Sequence, residues 1–218
     1  MARDGRLLED IADLPWAAWL RPFAPDPWRP DASVFSLDGM PDPAPAMHLD
    51  NAVITSHREI EVGGDLPRGV LRLVLLDPGG RWRCRALLSG FASDVGGLAS
   101  TYATGAGMYV MGRDPQDMAI AATRALDLAG GVVLADGGRV AFELPLPLGG
   151  MMSPWSIPDV AAAVERLTAI LRTRGYAHHD IGYTLLFLGF DSLPHVRLTY
   201  RGLWDVLGGR ALVPREDL

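Results

Sequence analysis

The sequence predicts an α+β domain: a mainly antiparallel or mixed sheet with two long helices around a single core. Three observations predict it. Short apolar segments joined by tight-turn residues outnumber the helical ones. Two stretches carry a 3.6-residue apolar period between recognisable start and stop signals. The chain has 218 residues, 49% apolar and 21% charged, which suffices to fill one core. The organisation expected is an N-terminal extension over residues 1–45 and a domain over 46–218.

The elements follow in chain order. Leu7, Leu8, Ile11 and Leu14 have helical spacing, so a short amphipathic helix is expected to run up to Pro15. Trp16, Trp19 and Trp28 then stand among prolines, ending in PDPAPA. Exposed tryptophans are costly, so this segment is expected to wrap over the main domain or dock on a partner chain. MHLDNAVITSHREIEV reads as two strands around a turn at Thr55–Arg58, and VLRLVLLDPGGRWRCRALL as two more joined by DPGG. A glycine-rich stretch, GFASDVGGLASTYATGAGMYVMG, comes next.

Asp114 is placed to cap a helix with Pro115 in its first turn and Asp117 near its positive end. Met118, Ala122, Ala125 and Leu126 form its apolar stripe, and Gly130-Gly131 stops it. VVLADGGRVAFEL reads as a hairpin turning at Asp136-Gly137-Gly138. A second helix starts near Ser156, with Val160, Val164, Leu167 and Leu171 on one face, and ends at Gly175. The run YTLLFLGF is short and wholly apolar, which predicts a buried strand. HVRLTYRGLWDV and RALVP complete a strand-rich tail.

Composition removes several chemistries. All 20 basic residues are arginine, and 20 of the 26 acids are aspartate. A chain without lysine cannot form a Schiff base, hold covalent pyridoxal phosphate or supply a Walker-type phosphate lysine. A net charge of −6 argues against nucleic acid, which requires a basic face. Arg81, Arg83 and Arg85 alternate, so they are expected to share a solvated strand face, with Cys84 buried on the other. One cysteine excludes an internal disulfide and a multi-cysteine zinc site. No apolar run reaches membrane-spanning length, and MARDGRLLEDIADLP has no signal-peptide core. A soluble cytoplasmic protein that contacts no membrane is the expectation.

Candidate chemistry is sparse. Among His48, His57, His178, His179 and His195 no pair has metal-ligand spacing, so no metal is expected. His178, His179 and Asp180 form the one cluster, read either as a polar connecting turn or as a general acid–base group. Ser100, Thr101, Tyr102 and Thr104 bring hydroxyls beside Gly105 and Gly107, where backbone N–H groups can approach a ligand. No G-x-S-x-G elbow is present.

Four stretches carry a resemblance: GFASDVGGLAST (90–101), MGRDPQDMAIAATRAL (111–126), GGVVLADGGRVAFELPLPLGGMMS (130–153) and LPHVRLTYRGLWDV (193–206). In order and spacing this region, about 86–206, resembles the C-terminal domain of bacterial adenine deaminases. In that family a TIM-like barrel upstream holds the metals and hydrolyses adenine to hypoxanthine and ammonia. This chain has no room for that barrel and lacks its histidine ligands. The family's domain also carries a His-Asp-Ser-His-Asn run, where this sequence reads Thr104-Gly105-Ala106-Gly107-Met108. Adenine deamination by this chain alone is therefore not expected, and no cofactor is implied.

Three readings follow. The first is an accessory subunit that completes a homo-oligomer or pairs with a separately encoded enzyme. The second is a small metal-free biosynthetic lyase, isomerase or cyclase. Its candidate catalytic groups are Ser100, Tyr102, Thr104, His178, His179 and Asp180. The third is a binding module for a purine or related heterocycle. Both latter readings place the ligand at 100–111, against Gly105, Gly107, Met108 and Tyr109, near Met151, Met152 and Ser153. Against them stands methionine's ordinary use as core filler.

Overall fold

The structure, a computed structural model, describes residues 2–4, 6–7, 28–105 and 107–218. Strands β1 (Ala2–Arg3) and β2 (Arg6–Leu7) form a small ladder of their own. Leu7 is thus extended, and the rest of the helix expected around it lies outside the described residues, as do Trp16 and Trp19.

After a 3-10 turn at Ala32–Phe35 come β3 (Ala44–Leu49), β4 (Thr55–Ile60), β5 (Val70–Leu76), β6 (Trp82–Ser89), β7 (Gly97–Ser100) and β8 (Met108–Gly112). Helix α1 (Pro115–Asp127), β9 (Gly131–Asp136), β10 (Arg139–Pro145), α2 (Ile157–Thr173) and α3 (Ile181–Phe187) follow. The chain ends in β11 (Val196–Thr199), β12 (Gly202–Asp205), β13 (Arg210–Pro214) and β14 (Glu216–Asp217). Nine strands make one sheet in the order β10-β9-β7-β8-β5-β6-β3-β4, with β14 also alongside β6. Its one parallel pair is β3–β6; the other pairs are antiparallel. This is the mixed sheet of an α+β domain.

Each face of the sheet carries its own core. On one face α1 and the 3-10 turn cover Val74, Leu76, Met108, Val110 and Val133. Asp114 caps α1 by accepting the Gln116 and Asp117 N–H groups, as its sequence position predicts. Met118 and Leu126 are buried beneath it, each contributing about 2 kcal/mol. At Gly97 a Cβ atom would lie 2.3 Å from the Asp117 backbone carbon, so glycine is what lets the helix sit directly on β7. Trp28 folds back onto the same side, its ring against Gly80. On the other face the three-stranded sheet β11-β12-β13, α2 and α3 cover Leu73, Leu75, Tyr109, Met111 and Leu134.

Three expectations are corrected. YTLLFLGF is helical, not extended: α3 spans Ile181–Phe187, and the Asp180 side chain caps it by accepting the Tyr183 N–H. Ile181, Thr184, Leu185 and Leu188 are buried while Tyr183 is exposed, a helical period that uniform apolarity conceals. The first hairpin turns at 50–54, where the Asn51 carboxamide oxygen accepts the Val53 and Ile54 N–H groups; Thr55–Ile60 is all strand. The arginine face of β6 is not solvated. Glu216 of β14 pairs with both Arg83 and Arg85, and the Arg85 guanidinium also donates to the Ser36 and Asp38 carbonyls. Glu216 comes from a strand that returns from the far C-terminus to pair beside β6, and no local pattern announces it.

Candidate functional site

The run from Ser100 to Met111 joins two central strands. β7 ends at Ser100 and β8 begins at Met108. Thr101 anchors the connection: its hydroxyl donates to the Gly150 carbonyl at 2.7 Å and accepts the Gly131 N–H at 2.9 Å. That pins the turn at 146–152 beside the sheet. A Cβ at Gly130 would fall 2.7 Å from the Gly150 Cα, so close approach of two backbones sets the glycine there. Thr104 ties the other end, its N–H and hydroxyl both donating to the Leu186 carbonyl of α3 at 3.1 and 3.2 Å.

Between these tethers lies a chamber of about 280 Å³. Val132 and Leu144 form its floor on β9 and β10, with Leu146, Met151 and Ser153 from the adjoining turn. Val160, Val164 and Leu167 of α2 form one wall; Ile181, Gly182 and Leu185 of α3 form another. Tyr102 closes the end nearest β7. The lining holds no histidine, carboxylate or arginine, so it provides no titratable acid or base in the neutral range.

The structure brings Tyr102, Met151 and Ser153 together at this chamber. Ser100 supports Tyr102 from beneath, its oxygen accepting the Tyr102 N–H at 3.2 Å. Thr104 and Gly105 sit at the exposed end of the connection. Gly107 has φ 122°, and a Cβ there would come within 2.8 Å of the Leu76 carbonyl, a backbone reason for glycine. Met108 points to the opposite face, beneath α1. Tyr109 is buried and donates to the Leu198 carbonyl at 2.6 Å, and burial pushes its phenol well above the usual tyrosine range. Met152 is exposed beside the chamber.

The His178–Asp180 cluster lies elsewhere. His178 Nε2–H donates to the Gly90 carbonyl at 2.7 Å, which leaves Nδ1 as the free nitrogen. His179 and Asp180 open onto a polar cleft between α2 and α3 with Glu165 and Arg172, while the Asp180 carboxylate is engaged in capping α3. Cys84 is buried, and burial pushes its thiol up to about 12, so it is not a nucleophile near neutral pH. Among the described residues no group of three or more His, Cys, Asp or Glu side chains is arranged to hold a metal ion. No helix among them is long and apolar enough to cross a membrane.

Two features escaped the sequence reading. Ile181 and Leu185 line the chamber only because their segment is helical; their i, i+4 spacing behind Asp180 was the available signal. Arg197 is 1% exposed, and its guanidinium donates to the Phe187 and Val53 carbonyls. Burial lowers it to about 10. Standing at the C-terminal end of α3, it meets the negative end of the helix and joins α3 to the first hairpin.

Fold and site define a class: an α+β domain on a mixed nine-stranded sheet, with an uncharged apolar chamber where one helix stands off one face. The family model described as "Adenine deaminase C-terminal domain" matches residues 48–209, and the chain belongs to that family. It is 36% identical over 171 residues to the "Putative adenine deaminase YerA" of Bacillus subtilis, covering 76% of this chain and 30% of that protein. It is 35% identical over 168 residues to the adenine deaminase of Cereibacter sphaeroides, covering 72% and 30%. With that of Methylobacterium nodulans the identity is 34% over 163 residues, covering 71% and 29%. The chain thus spans less than a third of the length of these curated relatives.

Proposed function

We propose that this chain is an accessory domain of the adenine-deaminase type, without metal-dependent deaminase chemistry of its own, and that it works by assembling with other chains. The observation that carries the reading is the fate of the 104–108 run. Thr104 is spent on the backbone of α3, Gly107 sits against backbone, and Met108 lies in the core beneath α1. Neither a base nor a carboxylate is offered from these positions, and the adjacent chamber is lined by none.

Assembly has a candidate surface beside the chamber. Met152, Trp155 and Ile157 are 63%, 43% and 86% exposed within six residues of chain. Large apolar groups clustered at the surface mark interaction sites more often than singly scattered ones. The test is sedimentation velocity on the purified chain, paired with an adenine-to-hypoxanthine assay. The reading expects self-association, or capture of a separately encoded deaminase subunit, that Trp155→Glu with Ile157→Glu abolishes. A strictly monomeric chain that captures no such subunit, or one that deaminates adenine unaided, overturns it.

A further inference from the structure

The accessory reading leaves the chamber beside Tyr102 without a use. We propose that it is a binding site for a small, neutral, flat molecule of one or two fused rings, with apolar faces and a single hydrogen-bonding group on its rim. The Tyr102 hydroxyl is the polar contact.

Size sets the upper limit. At about 280 Å³ the chamber lies just below the usual span of ligand sites, roughly 300–1,000 Å³, so it admits a small ring system but not a nucleotide. Charge sets the next limit. No ionised side chain lines it, and a phosphate or carboxylate would lose its water there without compensation.

Hydrogen bonding completes the selection. Two residues that carry hydroxyls line the chamber, Tyr102 and Ser153. The Ser153 oxygen already accepts the Trp155 N–H at 3.2 Å. The other tyrosines that point into this core are both satisfied: Tyr109 donates to the Leu198 carbonyl, and Tyr176 bonds the Thr184 hydroxyl at 2.7 Å. Half-buried Tyr102 has no side-chain hydrogen bond among the described residues. With no protein partner among these residues, the Tyr102 hydroxyl is free to bond a ligand's polar atom at the chamber. Adenine, with nitrogen on every edge, would leave most of them unsatisfied against these walls. The site therefore selects a ring less polar than a purine and is distinct from an adenine subsite.

Calorimetric titration and thermal-shift assays of the full chain with indole, indene, adenine and adenosine monophosphate test this. Indole is expected to bind and raise the melting temperature. Indene, the same shape without the N–H, is expected to bind about tenfold more weakly, the ratio equivalent to one hydrogen bond. Tyr102→Phe should reduce indole to the affinity of indene and leave indene unchanged. Val164→Phe should fill the chamber and abolish binding of both, with a native circular dichroism spectrum. If that variant misfolds, Val160→Phe at the same wall serves the purpose. No binding of indole, binding that survives the filling substitution, or tighter binding of adenine or adenosine monophosphate overturns the proposal. None of these outcomes depends on whether the chain self-associates.

Discussion

Helices α1 and α2 are both amphipathic, both carry a side-chain cap and both lie against the large sheet, yet they pack differently. Six of the thirteen residues of α1 are buried, against three of the seventeen of α2. Beneath α1 the contact is made by Ala121, Ala122 and Ala125, with Gly97 on the strand below. Beneath α2 it is made by Leu167 and Leu171 with a single alanine, Ala163, and the chamber lies beside them at Val160 and Val164. Equivalent helical patterns thus yield either a close-packed layer or a cavity. The difference lies in side-chain size on the opposing surfaces, which decides how near two backbones can come.

The strongest way to break this comparison is to thicken both interfaces. Gly97→Val puts carbon atoms where the Asp117 backbone lies, and should cost about 3 kcal/mol or prevent folding. Val164→Leu adds one carbon beside open space and should change stability by less than about 1 kcal/mol. Equal losses in urea-unfolding midpoints would show that the two layers are packed alike.

Next in size is Asp117. It is 3% exposed, and its carboxylate accepts the Gly137 and Gly138 N–H groups of the β9–β10 turn at 2.9 and 2.8 Å. Asp117→Ala should cost about 2 kcal/mol, since both donors lose a charged acceptor. Chemical denaturation measures it, and a loss no larger than that of an exposed aspartate would remove the link between α1 and the hairpin.

The caps sharpen the comparison further. Asp114→Ala and Ser156→Ala each remove a cap from a helix start and should each cost about 1 kcal/mol of helix stability. Because α1 is integral to its layer, the Asp114 variant should lower global stability. The Ser156 variant should chiefly raise amide exchange within α2. Indistinguishable exchange maps would defeat the distinction.

Smallest is an acid-limb effect at Asp77. The Arg81 guanidinium holds its carboxyl below the ordinary value of 3.8. A depressed folded pKa gives stability that is present above 3.8 and lost as pH falls from there through the folded value. The Arg81 side chain is 78% exposed, so the contribution is small. Asp77→Asn should be slightly less stable at pH 7 and should show a shallower loss between pH 4 and 3, read from urea midpoints.

Much of this was legible in advance. Asp114 and Ser156 announced their helices, and the Asp136-Gly137-Gly138 and DPGG turns announced their hairpins, because caps and turns are local chemistry written within a few residues. The site was legible only in part. Tyr102, Met151 and Ser153 were named and do meet, whereas Met108 faces the other side from its neighbour Tyr109 because successive strand residues alternate. The pairing of Arg83 and Arg85 with Glu216 could not be read at all, since Glu216 lies more than 130 residues along the chain.

By itself, then, the sequence determined the α+β class, most element positions, and the exclusion of chemistries that need lysine or a disulfide. It did so because those properties depend on residue type and near-neighbour spacing. Tertiary structure alone decided that YTLLFLGF would coil, that β14 would bring Glu216 beside the arginines, and that α2 would pack loosely enough on the sheet to leave a chamber. Each of those outcomes rests on which distant surface a segment meets, and on how large the side chains are where they meet.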